Sequence, residues 1–290
     1  MKLSTALKLG RVSNLPTTWT NVAAGLALAG ASSALDAGLA LALCAIVSCM
    51  YVGGMFLNDA FDREYDRRER PERPIPSGEV SASSVFAIGF ALLAAGIAGT
   101  AALALLRETG TGWAPVLAAL ALAACIVFYD AYHKQNPLSP VVMAGNRVLV
   151  YALAALSVLP VLAAEVYWGA GALGCYLIGL TYAAKQENLR ALRGVWPLVL
   201  LAAPFAYVPA LRTLAGAVLY AALAASTVHS VRLLLVPAKR DIRRAVTQLI
   251  AGISLLDGML VGSQGHVGLA ALCALGWLLT LRLQRVVAGT

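Results

Sequence analysis

Apolar stretches long enough to cross a lipid bilayer recur almost from end to end of the chain, separated by short polar joints. Crossing the hydrocarbon core takes about 20 predominantly apolar residues. The candidate spans are 17–34, 37–57, 82–106, 113–130, 141–163, 166–184, 195–211, 213–236, 246–262 and 267–284. Only 12% of the residues are charged, whereas soluble domains carry about 25%. We therefore predict an all-α fold, a polytopic membrane helical bundle that occupies 1–290 as one domain.

The number of spans depends on the segment 246–262, which is short and carries Asp257. Hydropathy alone gives ten spans, and nine is the alternative if this segment does not cross. Besides Arg282 at the end of the last span, four charged residues fall inside or at the end of predicted spans, where such groups are costly and usually face a polar interior. They are Asp130, Arg147, Arg232 and Asp257. We assign Arg147 to a site, whereas for Arg232 and Asp257 a structural pair, snorkelling and a functional role all stay open.

The formal net charge of +8 is explained by orientation in a membrane and not by nucleic acid. Lys and Arg collect at the N-terminus and in the loops after the even-numbered spans, whereas only Arg107 and Arg212 lie in loops on the other side. The positive-inside rule then places the N-terminus and the loop 58–80 in the cytoplasm. We expect an integral protein of the bacterial inner membrane. Its expected partners include membrane lipids but no nucleic acid.

Half of the 14 acidic residues lie in the loop 58–80, N-D-A-F-D-R-E-Y-D-R-R-E-R-P-E-R-P-I-P-S-G-E-V. Asn58, Asp62 and Asp66 are spaced four residues apart, and Asp59 precedes Asp62 by three. A helix continuing out of the second span therefore projects all four from one side. Such carboxylates repel one another unless a cation lies between them, and Mg²⁺ is commonly held by one or two carboxylates plus substrate phosphates. The alternative is a solvated loop whose own arginines neutralise the acids.

A rigid turn is predicted directly after these acidic residues. Two prolines flank Ile75, and Ser77 and Gly78 precede the third span, so the chain is bent back to the membrane. Such a turn would hold Arg73 in place to bind phosphate oxygens. The loop is thus predicted to hold a metal-bound diphosphate at the membrane surface.

The pattern N-D-x-x-D-x-x-x-D followed by R-P-I-P-S-G resembles the first signature of the UbiA superfamily of intramembrane prenyltransferases. These enzymes transfer an isoprenoid chain from its diphosphate to an acceptor, which is usually aromatic. The segment Y-D-A-Y-H-K at 129–134 resembles the family's loop after the fourth span. The N-terminal L-G-R-V-S-N-L-P-T-T-W-T-N resembles the Ebo-cluster branch. The resemblance implies a bundle of usually nine spans around a cavity that opens sideways to lipid.

The resemblance also implies a cofactor, partners and site residues. Mg²⁺ would be the cofactor, a prenyl diphosphate the donor, and a lipophilic molecule the acceptor. Asp59, Asp62 and Asp66 would bind the metal and act in catalysis. Arg11 and Asn14 are predicted to contact the acceptor, with a helix-start role as the alternative. The predicted diphosphate contacts are Asn58, Arg73, Lys134, Arg147, Lys185 and Arg190.

The chain departs from the family in the second cytoplasmic loop, 185–194. The family normally has a second aspartate-rich motif there, whereas this loop offers Glu187 and Asn188 but no aspartate. Lys185, Arg190 and Arg193 could supply positive charge to the diphosphate instead. Whether one or two metal ions bind stays open, and a non-catalytic lipid- or metabolite-binding or transport protein is the alternative function. CDP-alcohol phosphotransfer is disfavoured because no D-G-x-x-A-R core occurs, and a standard haem O synthase because the second motif is missing.

Overall fold

The structure, a computed structural model, describes residues 1–30, 37–106, 111–134, 136–186, 194–236, 238 and 240–287. Within these ranges the chain is helical and contains no strand. The α-helices are α1 (Leu3–Leu9), α2 (Leu15–Leu28), α3 (Ala37–Phe61), α4 (Arg63–Glu69), α5 (Ala82–Leu106), α6 (Ala114–Tyr132), α7 (Ser139–Leu156), α8 (Ala164–Lys185), α9 (Leu214–Leu235), α10 (Ile242–Ser263) and α11 (Val267–Leu283). Three 3₁₀-helices accompany them, η1 (Val12–Asn14), η2 (Trp196–Ala206) and η3 (Val208–Arg212).

The predicted all-α membrane bundle is confirmed. Among the described helices, six are long and apolar enough to cross a bilayer, namely α3, α5, α6, α7, α9 and α10. Every predicted span except 195–211 overlaps an α-helix within the described residues, and residues 31–34 of the first span lie outside them. The exposed surface of these helices carries many large apolar side chains, as expected where lipid replaces water.

The segment 195–211 differs from the others because it forms two consecutive 3₁₀-helices, η2 and η3. Pro197, Pro204 and Pro209 interrupt it, and a proline within a helix removes an N–H donor and clashes with the preceding turn. Hydropathy detects the apolar stretch but not this change of helix type.

The segment 246–262, which left the number of spans open, belongs to the long central helix α10. This helix packs against α2, α8, α9 and α11, and its Asp257 is fully buried. Asp257 accepts hydrogen bonds from Thr20 and Asn21 of α2 and from Tyr151 of α7. Because the carboxylate is satisfied inside the protein, it does not prevent the helix from lying in the bundle.

The N-terminal segment, the loops after α3 and α6, and the C-terminal end of α8 lie at one end of the bundle. Arg11 contacts Asp59, Lys134 contacts Asp62, and Lys185 at the end of α8 donates to the Asn136 carbonyl. This shared end agrees with the distribution of Lys and Arg in the sequence. That it faces the cytoplasm stays a prediction.

Close packing of α3 against α5 depends on glycine. A Cβ at Gly53 would lie 2.8 Å from the backbone oxygen of Gly89, whereas a Cβ at Gly171 of α8 meets nothing within 4 Å. The first position has no room for a methyl group, because the atom it would meet belongs to a helix backbone.

We expect Gly53→Ala to destabilise the folded protein by about 1–3 kcal/mol, the usual cost of overpacking. Gly171→Ala is the matched control and should be neutral or slightly stabilising, because alanine favours a helix over glycine. Thermal unfolding of both variants in the same detergent measures the difference. Equal unfolding midpoints would show that α3 and α5 are not locked together at this position.

Candidate active site

Four polar side chains are buried together where α3 passes into α4. The Asp62 N–H donates to the Asn58 carbonyl at 2.9 Å, and the Asp66 N–H donates to the Asp62 carbonyl at 2.9 Å, so the helical path continues across the junction. Asn58, Asp59, Asp62 and Asp66 are 6%, 7%, 5% and 1% exposed. The structure therefore excludes the solvated-loop alternative for these four residues, and we call them the carboxylate cluster.

The turn after α4 places Arg73 on the carboxylate cluster. The Ser77 N–H donates to the Arg73 carbonyl at 3.0 Å, and the Val80 N–H donates to the Pro74 carbonyl at 3.2 Å. These bonds close the predicted turn. The Arg73 guanidinium lies 2.8 Å from Asp66 Oδ2 and 3.4 Å from Asp59 Oδ1, so one cation links two of the carboxylates.

Arg11 reaches the cluster from the N-terminal segment. Its guanidinium lies 3.1 Å from Asp59 Oδ1 and 3.2 Å from Asn58 Oδ1. Burial by itself lowers the pKa of Arg11, but the nearby carboxylates, Asp59 foremost, raise it above its ordinary value. The Arg11 backbone is left-handed, with φ 42°, a conformation that costs a non-glycine residue about 1–2 kcal/mol. The strain is retained where it turns α1 away from α2 and directs the side chain at Asp59.

The residues that follow α6 supply further positive charge. Lys134 Nζ lies 2.8 Å from Asp62 Oδ2 and 4.1 Å from the centre of the Tyr65 ring, so an ion pair and a cation–π contact hold it. His133 Nε2 is 3.6 Å from the same carboxylate oxygen. Burial lowers the pKa of His133 although Asp62 opposes this effect. Lys134 is the closer of the two basic partners of Asp62.

Asp130 of α6 contacts the carboxylate cluster through Asn58, and the sequence did not predict this contact. It is 3% exposed, and its Oδ1 accepts a hydrogen bond from Asn58 Nδ2 at 3.2 Å. The available signal was an acidic residue near the end of an apolar span. Its partner is 72 residues away in sequence, so no local spacing pointed to the carboxylate cluster.

Three other predicted site residues, Asn14, Arg147 and Lys185, line one cavity together with Asn58 and Asp62 but make different contacts. Lys185 donates to the Asn136 carbonyl at 3.0 Å and to Ser139 Oγ at 2.8 Å. Asn14 is 5% exposed, and its Oδ1 accepts from Gln284 at 2.7 Å. Arg147 contacts α2 and none of the cluster carboxylates among the described residues. Arg190, with the rest of 187–193, lies outside the described residues.

A cavity of about 410 Å³ lies beside the carboxylate cluster, within the usual range for a small-molecule site, about 300–1,000 Å³. Its polar lining includes members of the cluster and their cations, Arg11, Asn58, Asp62, Arg73, Asp130 and Lys134. Its apolar wall is supplied by α3, α6, α8 and α10, with Met50, Leu122, Ile126, Leu177, Leu180 and Ile253. Such a cavity suits a ligand with an anionic head and an apolar tail.

The donor atoms of the cluster fit Mg²⁺. All are hard carboxylate or amide oxygens, and two buried ones, Asp66 Oδ1 and Asp130 Oδ2, have no hydrogen-bond partner within the described part of the chain. Within that same part, no three His, Cys, Asp or Glu side chains converge on one point. Mg²⁺ seldom needs such a cage, because substrate phosphates and water supply most of its ligands.

Fold and cavity together define the class: an integral membrane helical bundle that encloses a cavity with an apolar wall and a charged polar lining. The chain belongs to the UbiA prenyltransferase family, whose family model matches residues 17–289. The resemblance inferred from the motifs is therefore confirmed. The finer likeness to the Ebo-cluster branch stays a prediction.

Individual relatives match over shorter segments. A digeranylgeranylglyceryl phosphate synthase of Ignicoccus hospitalis is 44% identical over 95 residues, which cover 33% of this chain and 30% of that protein. The synthase of the same name from Methanopyrus kandleri is 43% identical over 95 residues, covering 32% and 34%. The matches thus span about a third of the length of these curated relatives.

A solved structure concerned with digeranylgeranylglyceryl phosphate synthase in membranes has the same fold. It is similar with a TM-score of 0.61 and 18% sequence identity, and the match covers 90% of this chain and 98% of that one. The match extends the family assignment to the three-dimensional arrangement of the helices.

Removing Arg73 should destabilise the protein far more than removing a neighbouring surface arginine. Arg73→Gln leaves Asp59 and Asp66 short of a cation in a buried site, and breaking one side of such a pair costs about 3–5 kcal/mol. Arg67→Gln is the matched control, because its ion pair with Glu64 is exposed and such pairs contribute about 0–1 kcal/mol. Denaturant or thermal unfolding in detergent measures both. Equal losses in the two variants would contradict the linking role of Arg73.

Proposed function

We propose that the protein transfers an isoprenoid group from a prenyl diphosphate to a lipophilic acceptor within the membrane. The observation that carries this proposal is the coexistence of buried carboxylates, Asp62 and Asp130, and of several cationic side chains in the lining of a cavity that also has an apolar wall. A prenyl diphosphate matches these two parts of the cavity, because it has a highly charged head and a hydrocarbon tail. Membership in the UbiA prenyltransferase family supports the same chemistry.

The residues of the cluster would act on the leaving group. Asp59, Asp62 and Asp66 would hold Mg²⁺, and Asp130 is a further candidate ligand because of its unpartnered oxygen. Bound Mg²⁺ would supply positive charge to the diphosphate oxygens. Arg73 and Lys134 already lie against these carboxylates, so their N–H groups are within reach of phosphate bound at the same place.

Catalysis would come from stabilising the charge that develops as the diphosphate departs. The allylic carbon–oxygen bond breaks, and its electron pair leaves on the diphosphate. The acceptor's nucleophilic oxygen or carbon forms the new bond to the allylic carbon and releases its proton to the departing diphosphate. Preorganised cations such as Arg73 lower the barrier because the oxygen charge is largest in the transition state. The apolar wall excludes water from the allylic cation.

Arg11 belongs with the diphosphate cations in this proposal, although its sequence position suggested acceptor binding. Its direct contacts are Asp59 and Asn58, which lie in the carboxylate cluster. Asn58 orients both Arg11 and Asp130, because its amide oxygen accepts from Arg11 and its amide nitrogen donates to Asp130. Lys185 and Arg190 stay candidates for the diphosphate from the sequence.

The relatives guide the choice of substrates. They are named for digeranylgeranylglyceryl phosphate, so a geranylgeranyl donor and a prenylglyceryl phosphate acceptor are the first pair to test. The charged end of the bundle would face the cytoplasm of a bacterial inner membrane. The distribution of Lys and Arg supports that orientation.

The test is Mg²⁺-dependent turnover of radiolabelled geranyl, farnesyl and geranylgeranyl diphosphates by the purified protein with prenylglyceryl phosphate and a mixed aromatic pool. We expect a prenylated product with at least one donor. Asp62→Asn should lower kcat by at least about 100-fold, the scale for loss of one preorganised charge-stabilising group. Glu64→Gln changes an exposed carboxylate of the same helix and should retain activity.

A non-catalytic binding protein would give a different result. It would bind the prenyl diphosphate and leave it intact with every acceptor, whether or not Mg²⁺ is present. Equal turnover by Asp62→Asn and wild type would show that the chemistry does not depend on the carboxylate cluster.

A further inference from the structure

A second polar group lies in the bundle, apart from the carboxylate cluster. Arg147 of α7 donates to Asn21 Oδ1 at 2.9 Å and to Thr17 Oγ1 at 3.1 Å, both on α2. Asp257 of α10 accepts from Asn21 Nδ2 at 2.8 Å and from Thr20 Oγ1 at 2.5 Å, and also from the Tyr151 hydroxyl. We call these side chains the Arg147 network: Thr17, Thr20, Asn21, Arg147, Tyr151 and Asp257.

Asn21 joins the two charges of the network. Its oxygen faces Arg147 and its nitrogen faces Asp257, which is the orientation that satisfies both, since a guanidinium only donates and a carboxylate only accepts. Asn21 and Asp257 are fully buried. The carboxylate therefore fixes the Asn21 amide, and the amide fixes the guanidinium.

The Arg147 guanidinium is incompletely neutralised. Its two hydrogen-bond acceptors are neutral, and no carboxylate of the described residues lies within ion-pair distance. Thr17 and Asn21 accept two of its five N–H groups. The side chain lines the cavity and its guanidinium carbon lies 5.5 Å from the Tyr51 ring centre. A partly buried guanidinium that faces a cavity favours an anion there.

The neighbouring residue, Asn146, also has an unsatisfied polar atom. Asn146 lines the same cavity, and its buried Oδ1 has no hydrogen-bond partner among the described residues. An unsatisfied buried acceptor is costly, and the hydroxyl of a ligand would satisfy it. Arg147 and Asn146 thus offer an anion-binding donor and a hydroxyl-binding acceptor side by side.

This corner is distinct from the diphosphate end. Ser139 at the start of α7 contacts Lys185 at the charged end of the bundle, and Arg147 is eight residues further along the helix, about 12 Å at 1.5 Å per residue. The cluster carboxylates have their own cations in Arg11, Arg73 and Lys134. Arg147 is therefore available to bind a second anion in the same cavity.

We propose that Arg147 and Asn146 form the head-group subsite for the acceptor, which carries an anionic oxygen group, a phosphate or a carboxylate. Asp257 is a positioning residue that holds Arg147 through Asn21. This inference rests on the proposed transfer function. It gives Arg147 a different role from the diphosphate contact predicted from the sequence.

The experiment compares three acceptors that share one prenylglycerol body and end in a phosphate, a carboxylate or a neutral hydroxyl. Initial rates are measured in nanodiscs with Mg²⁺ and radiolabelled geranylgeranyl diphosphate, for wild type, Arg147→Gln and Arg232→Gln. Arg232 is the matched control because it also lies in a predicted span but does not line the cavity.

We expect Arg147→Gln to raise KM for the preferred anionic acceptor by about 10- to 100-fold, the scale for a lost charge-assisted hydrogen bond. KM for the donor and the rate with the neutral acceptor should change little. Whichever of phosphate and carboxylate shows the larger loss identifies the anion. Arg232→Gln should behave as wild type.

Asp257→Asn and Asn21→Ser test the positioning role. Each should raise KM for the anionic acceptor without changing KM for the donor, and adding either change to Arg147→Gln should have no further effect on that KM, because all act through one guanidinium. Asn21→Ser keeps this test available if Asp257→Asn does not fold. Lower thermal stability without an acceptor-specific KM change would contradict positioning.

Two further outcomes separate this inference from the proposed function. An equal rise in KM for the donor, with KM for the acceptor unchanged, would overturn the acceptor subsite while leaving prenyl transfer intact. Absence of transfer by wild type with every acceptor, despite donor binding, would overturn the proposed function and this inference with it.

Discussion

The structure depends on pairing buried carboxylates with cations at one end of a largely apolar bundle. Asp59, Asp62, Asp66 and Asp130 are each less than a tenth exposed, and unpaired charges at such positions would be very costly. The cations come from different parts of the chain. Arg11 of the N-terminal segment pairs with Asp59, Arg73 of the turn after α4 pairs with Asp66, and Lys134 after α6 pairs with Asp62. The charge requirement thus joins separate segments around one cavity.

The helix α2 links the two polar regions of the bundle. It packs against α3, α7, α10 and α11, and Arg11 precedes it while Thr17 and Asn21 lie on it. Through Arg11 the N-terminal approach to this helix is tied to the carboxylate cluster, and through Asn21 the helix itself is tied to Arg147 and Asp257. Both polar regions therefore depend on the same short segment of the chain, residues 11–21.

Local sequence information was enough to predict the first half of the site. The four-residue spacing of Asn58, Asp62 and Asp66 predicted a common side, and the prolines after Arg73 predicted the turn that brings it to Asp66. Both features arise within one helix or one turn, where geometry follows from spacing. The apolar segments likewise predicted the bundle, because a bilayer requires helices of set length.

The rest of the site depends on contacts between distant parts of the chain. Asp130 meets Asn58 across 72 residues, and Asp257 meets Asn21 across 236, so neither partner was visible from spacing. Asp257 made its segment a weak candidate for a span, because burying a carboxylate is costly without hydrogen-bond donors, and the sequence did not reveal those donors. A pairing with Arg232 was one option, but Arg232 is exposed near the end of α9, while the donors to Asp257 come from α2 and α7.

The central claim is that the carboxylate cluster holds a divalent cation together with the head of a prenyl diphosphate. The most direct measurement is electron paramagnetic resonance of Mn²⁺, used in place of Mg²⁺, with the purified protein and an unreactive prenyl thiodiphosphate. Tight Mn²⁺ binding that requires the thiodiphosphate, shows phosphorus coupling, and is lost in Asp66→Asn is the predicted result. Mn²⁺ binding that is unchanged in Asp66→Asn, or thiodiphosphate binding that is equally tight without metal, would contradict the claim.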